Sequence, residues 1–170
     1  MKRFIVIPVF FLALAACGNA AVRESAEQAR AARDAIAIAP ERGAINGLHI
    51  GSSEAESIAA FGRPDRIDTG FSEVEGKPSR TLHCDGIEIY LIGDEIFNLT
   101  CRSRRCVTHD GIRVGDTTEK VLAAFGKGEP EPRDDGPDFL RYPIDNADID
   151  LIHKLQDGKV VELELWFDYT

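Results

Sequence analysis

Three thiols in the body of the chain, Cys84, Cys101 and Cys106, carry its most reactive chemistry. Cys101 and Cys106 bracket Arg102-Ser103-Arg104-Arg105, and His83 and His109 stand close by. Two chemistries suit these residue types. In an oxidising compartment, three thiols allow at most one intramolecular bridge. Cys101–Cys106 is the favoured pair, and pairs that use Cys84 stay open. Kept reduced, the set Cys-x4-Cys-x2-His plus His-Cys has the ligand types that zinc takes, in a spacing that matches no standard site.

Arg102, Arg104 and Arg105 form the one basic cluster of an acidic sequence. It reads as a solvated connector or as a contact for an anion or acidic partner, which guanidinium groups grip in bidentate fashion. Carboxylates are dense at Asp134, Asp135 and Asp138 and again at Asp145, Asp148 and Asp150. They form no Asp-x-Asp-x-Asp-Gly calcium loop, and Asp148 and Asp150 are expected to face solvent from one strand. The sequence has no Gly-x-Ser-x-Gly, no His-Glu-x-x-His and no phosphate-binding loop. The expectation is a protein without catalytic activity, cofactor or metal.

The compartment is written at the N-terminus. Lys2 and Arg3 precede an apolar run from Phe4 to Leu14, too short to span a bilayer, which ends in Leu14-Ala15-Ala16-Cys17. This resembles the lipobox of bacterial lipoproteins. The resemblance implies that residues 1–16 are removed and that Cys17 becomes the mature N-terminus, carrying thioether- and amide-linked acyl chains. More than one chain makes such anchoring stable. Gly18, where an inner-membrane retention signal has Asp, favours the outer membrane with the domain facing the periplasm. Removal of Lys2 and Arg3 takes the net charge from −9 to −11, which repels nucleic acid and anionic lipid head groups. Residues 17–43 are rich in Ala, Arg, Glu and Gln and read as a lipidated N-terminus and helical tether, or as a helix that packs on a partner.

The elements that must position these residues come from a repeat. Gly47–Gly62 (GLHIGSSEAESIAAFG) returns at Gly111–Gly126 (GIRVGDTTEKVLAAFG), 64 residues on and without a gap. Ser53 and Thr117 are suited to cap a helix, Ser53 with Glu56 in a capping box, and Gly62 and Gly126 stand where the helices end. Period-two segments follow: Arg80–Cys84, Ile87–Ile92 and Glu95–Cys101, then Phe139–Ile144, Ile149–His153 and Val160–Phe167. Segments 66–79 and 127–138 read as loops. Each unit therefore reads helix–strand–strand–strand, with repeat one over 44–107 and repeat two over 108–170. The expected fold class is α+β, two tandem units forming antiparallel sheet with helices on one face, in one compact domain.

The run Gly-x-x-x-Gly-[Ser/Asp]-[Ser/Thr]-x-x-x-[Ser/Val]-[Ile/Leu]-x-x-Phe-Gly, with hairpin strands and a second copy, resembles the superfamily of the β-lactamase inhibitor protein. A single-unit relative is the BamE (SmpA/OmlA) lipoprotein. The resemblance covers about residues 44–168. Gly62-Arg63-Pro64 matches the usual Gly-x-Pro, whereas Gly126-Lys127-Gly128-Glu129-Pro130 departs from it. What it implies is an envelope protein that binds another protein, with inhibition of a periplasmic hydrolase as the alternative and a small metal-binding or redox lipoprotein as the third class.

Overall fold

The computed structural model describes residues 27–28, 30–131, 138–145 and 147–167. A short 3-10 helix, Pro40–Arg42, precedes two similar series of elements. Helix α1 (Glu54–Phe61) leads into β1 (Arg66–Ser72), β2 (Lys77–Cys84), β3 (Ile87–Ile92) and β4 (Glu95–Cys101). Helix α2 (Thr118–Phe125) leads into β5 (Glu129–Glu131), β6 (Asp138–Pro143), β7 (Ile149–Gln156) and β8 (Lys159–Phe167). Among the described residues, these strands form one antiparallel sheet in the order β1-β2-β3-β4-β8-β7-β6-β5.

This corrects the helix–strand–strand–strand reading. Four strands follow each helix, and all eight belong to a single continuous sheet. The strands missed are β1 and β5, inside the segments read as loops. Asp68, Gly70 and Pro130 have weak strand propensity. These residues are extended because β2 and β6 supply a ladder beside them: Arg66 to Ser72 pair residue by residue with His83 to Lys77, and Glu129 to Glu131 with Arg141 to Phe139.

The helices start and end by local chemistry. The Ser53 hydroxyl accepts from Glu56 N–H, while the Glu56 side chain accepts from Ser53 N–H at 2.7 Å, closing the box. The bond from Ser53 N–H, and then one that the Ser53 hydroxyl donates to the same carboxylate oxygen at 2.8 Å, hold the Glu56 carboxyl below its usual range. Thr117 caps α2 without the box, because Lys120 stands where Glu56 does in the first copy. Both helices end on a glycine at positive φ, +89° at Gly62 and +82° at Gly126, where a side chain would be strained. Eight residues cannot hold a helix alone in water. Ser57, Phe61, Val121 and Phe125 are the buried side chains that bind the helices to the sheet.

Structural details also recur 64 residues apart. Gly51 N–H donates to Ile96 O at 2.8 Å, and Gly115 N–H to Val160 O at 2.7 Å. Ser53 bridges to Glu95, and Thr117 to Lys159. A bulge falls between Tyr90 and Leu91, and another between Lys154 and Leu155. At the seam where β4 pairs β8, Thr100 stands opposite Glu164, its own counterpart, with Leu99 opposite Leu165 and Cys101 opposite Leu163 on either side. A pseudo-twofold axis therefore passes through the Thr100–Glu164 pair.

One sheet face is the core. Leu82, Ile89, Leu99, Leu151, Leu163 and Leu165 cluster there with Phe61, Val121 and Phe125. Fully burying side chains of this size is worth about 1.5–3 kcal/mol each. The chain before the first repeat packs on the domain, with its backbone bonded to it from Ile38 on. Ile38 is buried, donates to Pro143 O at 2.8 Å and accepts from Asp145 N–H at 2.8 Å; Ala44 and Ile45 are buried as well.

Candidate functional site

Alternation along β7 and β8 sends Leu151, Leu163 and Leu165 into the core and turns Ile152, Lys154, Glu162, Glu164 and Trp166 to the opposite face of the sheet. That face carries a network of charges across the β4–β8 seam. The Arg102 guanidinium lies 3.1 Å from Glu88 and 2.5 Å from Glu162. Lys154 pairs with Glu162 and lies 3.1 Å from Glu164, and Thr100 donates to Glu164 at 3.4 Å. Glu162 and Glu164 are almost fully buried. Flanking them with two cations offsets a desolvation cost that either carboxylate would otherwise carry in full. Burial alone would lower the Lys154 pKa, but the two carboxylates outweigh it and the pKa is raised.

An aromatic ring touches the network. The Lys154 ammonium sits 5.3 Å from the Phe139 ring centroid. Phe97 packs edge-on to Tyr90 with centroids 6.4 Å apart and lies 4.8 Å from Phe167. Trp166 is exposed, at 42% of its surface. The sequence pattern placed Phe97 on one side with Leu99 and Cys101, and Val161 with Leu163 and Leu165. The bulges change this: Leu91 pairs Ile96 while Tyr90 pairs Asn98, and Leu155 pairs Val160 while Lys154 pairs Glu162. Phe97 and Val161 are the extra residues, so each breaks the alternation and neither joins the buried set.

The thiols sort cleanly. Cys101 and Cys106 form a disulfide, and Cys84 is a free, buried thiol whose pKa is raised by burial and then by Asp65. A bridge of this kind belongs to an oxidising compartment. It also removes two thiolates from the zinc alternative. His83 leaves that set too, because its ring contacts Asp68 at 2.9 Å and Arg66 at 3.0 Å on the face opposite Cys84. Among the described residues, no three His, Cys, Asp or Glu side chains are grouped to hold a metal ion.

The arginine cluster is divided among separate tasks. Arg102 joins the sheet-face network. Arg105 donates to Phe61 O at 2.7 Å, satisfying a carbonyl at the end of α1. Arg104 packs over Gly115 and accepts from Arg113 through its carbonyl at 3.4 Å. The three guanidinium groups therefore do not converge on a single point. Cys17, the lipidation residue, lies outside the described residues, as do Asp134 and Asp135.

Two residues carry signals that sequence reading missed. Asp150, expected to face solvent, is fully buried, with Arg33 at 2.7 Å and Arg141 at 3.6 Å. Strand alternation fixes its face but not what covers it, and Arg33 arrives from 117 residues earlier in the chain. His153 is also fully buried, between Phe125 at 5.1 Å and Tyr142 at 5.5 Å, and neither ring nitrogen has a hydrogen-bond partner. Burial pushes its pKa down to about 3, with Asp110 pulling weakly the other way, and burial pushes Tyr142 up to about 12. The one sequence hint for His153 is its place between Leu151 and Leu155 in the apolar phase of β7.

No protein-family model matches the chain, and no curated protein matches it. Among solved structures it is similar to a DUF4309 family protein from Bacillus subtilis, at 16% identity and a TM-score of 0.39, over 72% of this chain and 83% of that one. It is similar to an extracellular protein containing a SCP domain from Bacillus anthracis, at 12% identity and a TM-score of 0.43, over 71% and 44%. A cysteine-rich secretory protein from Staphylococcus aureus gives 14% identity and a TM-score of 0.46, over 76% and 50%. The chain spans about half the length of the last two, and likeness at this level assigns no function.

Proposed function

We propose that this chain is a lipid-anchored cell-envelope module that binds another protein and catalyses nothing itself. The observation that carries the reading is the sheet face opposite the core, where Trp166 is exposed on the same side of β8 as Glu162 and Glu164, whose charges are fixed by Arg102 and Lys154 with the Phe139 ring against the Lys154 ammonium. Rigid aromatic anchors ringed by polar groups are the composition of protein-binding hot spots. The carboxylates there are held by cations, an arrangement suited to fixed complementarity rather than proton transfer. Anchoring is assigned to acyl chains on Cys17 and the location to the outer membrane, with the domain in the periplasm, where the Cys101–Cys106 bridge is stable.

Two experiments test the proposal. Cys17→Ser should release the protein from membranes after a high-salt wash; retention there would refute the lipid anchor. Affinity purification from solubilised envelopes should recover a stoichiometric protein that Trp166→Ala loses at least about tenfold. Recovery unchanged by Trp166→Ala would refute the assigned face, and recovery of a hydrolase whose activity is blocked would turn the reading into the inhibitor alternative.

A further inference from the structure

The two outer edges of the sheet are built differently. The β5 edge is Glu129-Pro130-Glu131, short, charged and interrupted by proline, the usual means of keeping an edge from pairing. The β1 edge occupies the matching place at the other end of the sheet; it carries Arg66 and Asp68 but is neither short nor interrupted by proline. It runs for seven residues without proline or bulge, and Ile67 and Phe71 are 47% and 56% exposed on it. Among the described residues, no strand pairs with its outer side.

The hydrogen-bond phase of that edge can be derived. Gly93 N–H donates to Pro78 O, so Pro78, Arg80 and Leu82 turn their backbone groups toward β3. Amide groups alternate in direction along a strand, so Ser79, Thr81 and His83 turn theirs toward β1. Their partners Gly70, Asp68 and Arg66 reciprocate. Ile67, Thr69 and Phe71 are therefore the residues whose N–H and C=O groups point outward.

We propose that β1 pairs antiparallel with β1 of a second copy of this chain, about a twofold axis through Thr69. Of the antiparallel self-pairings, this register uses all three outward residues of each copy. Thr69 then faces Thr69, and Ile67 faces Phe71 on both sides of the axis, so the exposed apolar side chains cover one another. Asp68 faces Gly70 and Arg66 faces Ser72, which sets no like charges directly opposite. The surface is self-complementary, as an isologous interface requires. A seven-residue edge is smaller than the roughly 800 Å² per partner of standard complexes, so this dimer is reversible and needs high concentration.

Cysteine crosslinking on the full chain in detergent tests the register. Facing residues in a hydrogen-bonded pair have Cα atoms about 5.5 Å apart, within disulfide reach. Thr69→Cys should therefore crosslink to itself on mild oxidation. Arg66→Cys, about 20 Å from its own copy in this register, should give at least about tenfold less dimer. No crosslink from Thr69→Cys, or equal yields from both, would overturn the proposal. Sedimentation up to several hundred micromolar supplies an independent reading. The unsubstituted chain should show a mass rising toward the dimer, and Phe71→Lys should weaken that association about tenfold, since the axis makes each substitution count twice. Phe71 is exposed, so the variant should keep its unfolding midpoint. A strictly monomeric chain, or a dimer indifferent to Phe71→Lys, would refute the pairing, as would a different polypeptide found along residues 66–72.

Discussion

Acid should act on this fold through His153 before it acts through most of the surface. The ring is fully buried against Phe125 and Tyr142, and neither nitrogen has a hydrogen-bond partner. Asp110 acts on the ring through its charge and pairs at 3.0 Å with Arg42, whose guanidinium lies 4.8 Å over the Phe125 ring. In the unfolded chain the imidazole takes its proton near pH 6.5, whereas burial delays it to about 3 in the folded state. Between those values the unfolded state binds more protons, so stability rises with pH through the window and falls as pH drops from 6.5 toward 3. A gap of that size is worth up to about 5 kcal/mol, and the part lost between pH 7.5 and pH 4.5 is about 2.5–3 kcal/mol. Urea unfolding at the two pH values reads this directly when the chain is compared with His153→Leu, since carboxylates common to both cancel. The unsubstituted protein should lose about 2.5–3 kcal/mol more than the variant on acidification. His153→Phe serves as a second variant should leucine leave too large a gap. Identical losses in all three proteins would show that His153 is protonated or hydrated in the fold, and the argument from burial would fail.

Other consequences are open to measurement. Phe61→Ala and Phe125→Ala each truncate a buried ring at matched positions in α1 and α2, and each should cost about 3–5 kcal/mol in urea unfolding. Lys154→Met leaves Glu162 and Glu164 buried with less compensation and should cost about 2 kcal/mol, recovered in part at acid pH, where the carboxylates can protonate. Reduction of Cys101–Cys106 opens a loop with a sequence separation of 5 and should lower stability by about 2 kcal/mol without unfolding the domain. Alkylation and mass spectrometry of the denatured, non-reduced protein should place the label on Cys84, and a label on Cys106 instead would refute the pairing.

What the sequence determined by itself is what neighbours in the chain decide among themselves. The caps at Ser53 and Thr117, the glycine stops at Gly62 and Gly126, and the cores of β3, β4, β6, β7 and β8 depend on spacings of a few residues. The 64-residue repeat is an internal comparison that needs no structure, and it recurs in matched hydrogen bonds, bridges and bulges. The sequence left the pairing of Cys101 open, because Cys84 lies near in the chain through a hairpin; β3 intervenes between the two in the sheet, and that is a fact of strand order. It also left β1 and β5 as loops, because their extended backbone is imposed by β2 and β6. Asp150 and His153 show the same division. Alternation assigns each to a face of β7, but the Arg33 that covers one and the Phe125 that covers the other come from far along the chain. The covering of a face is decided by contacts between distant residues, so only the tertiary structure could bury these two side chains, one paired and one neutral.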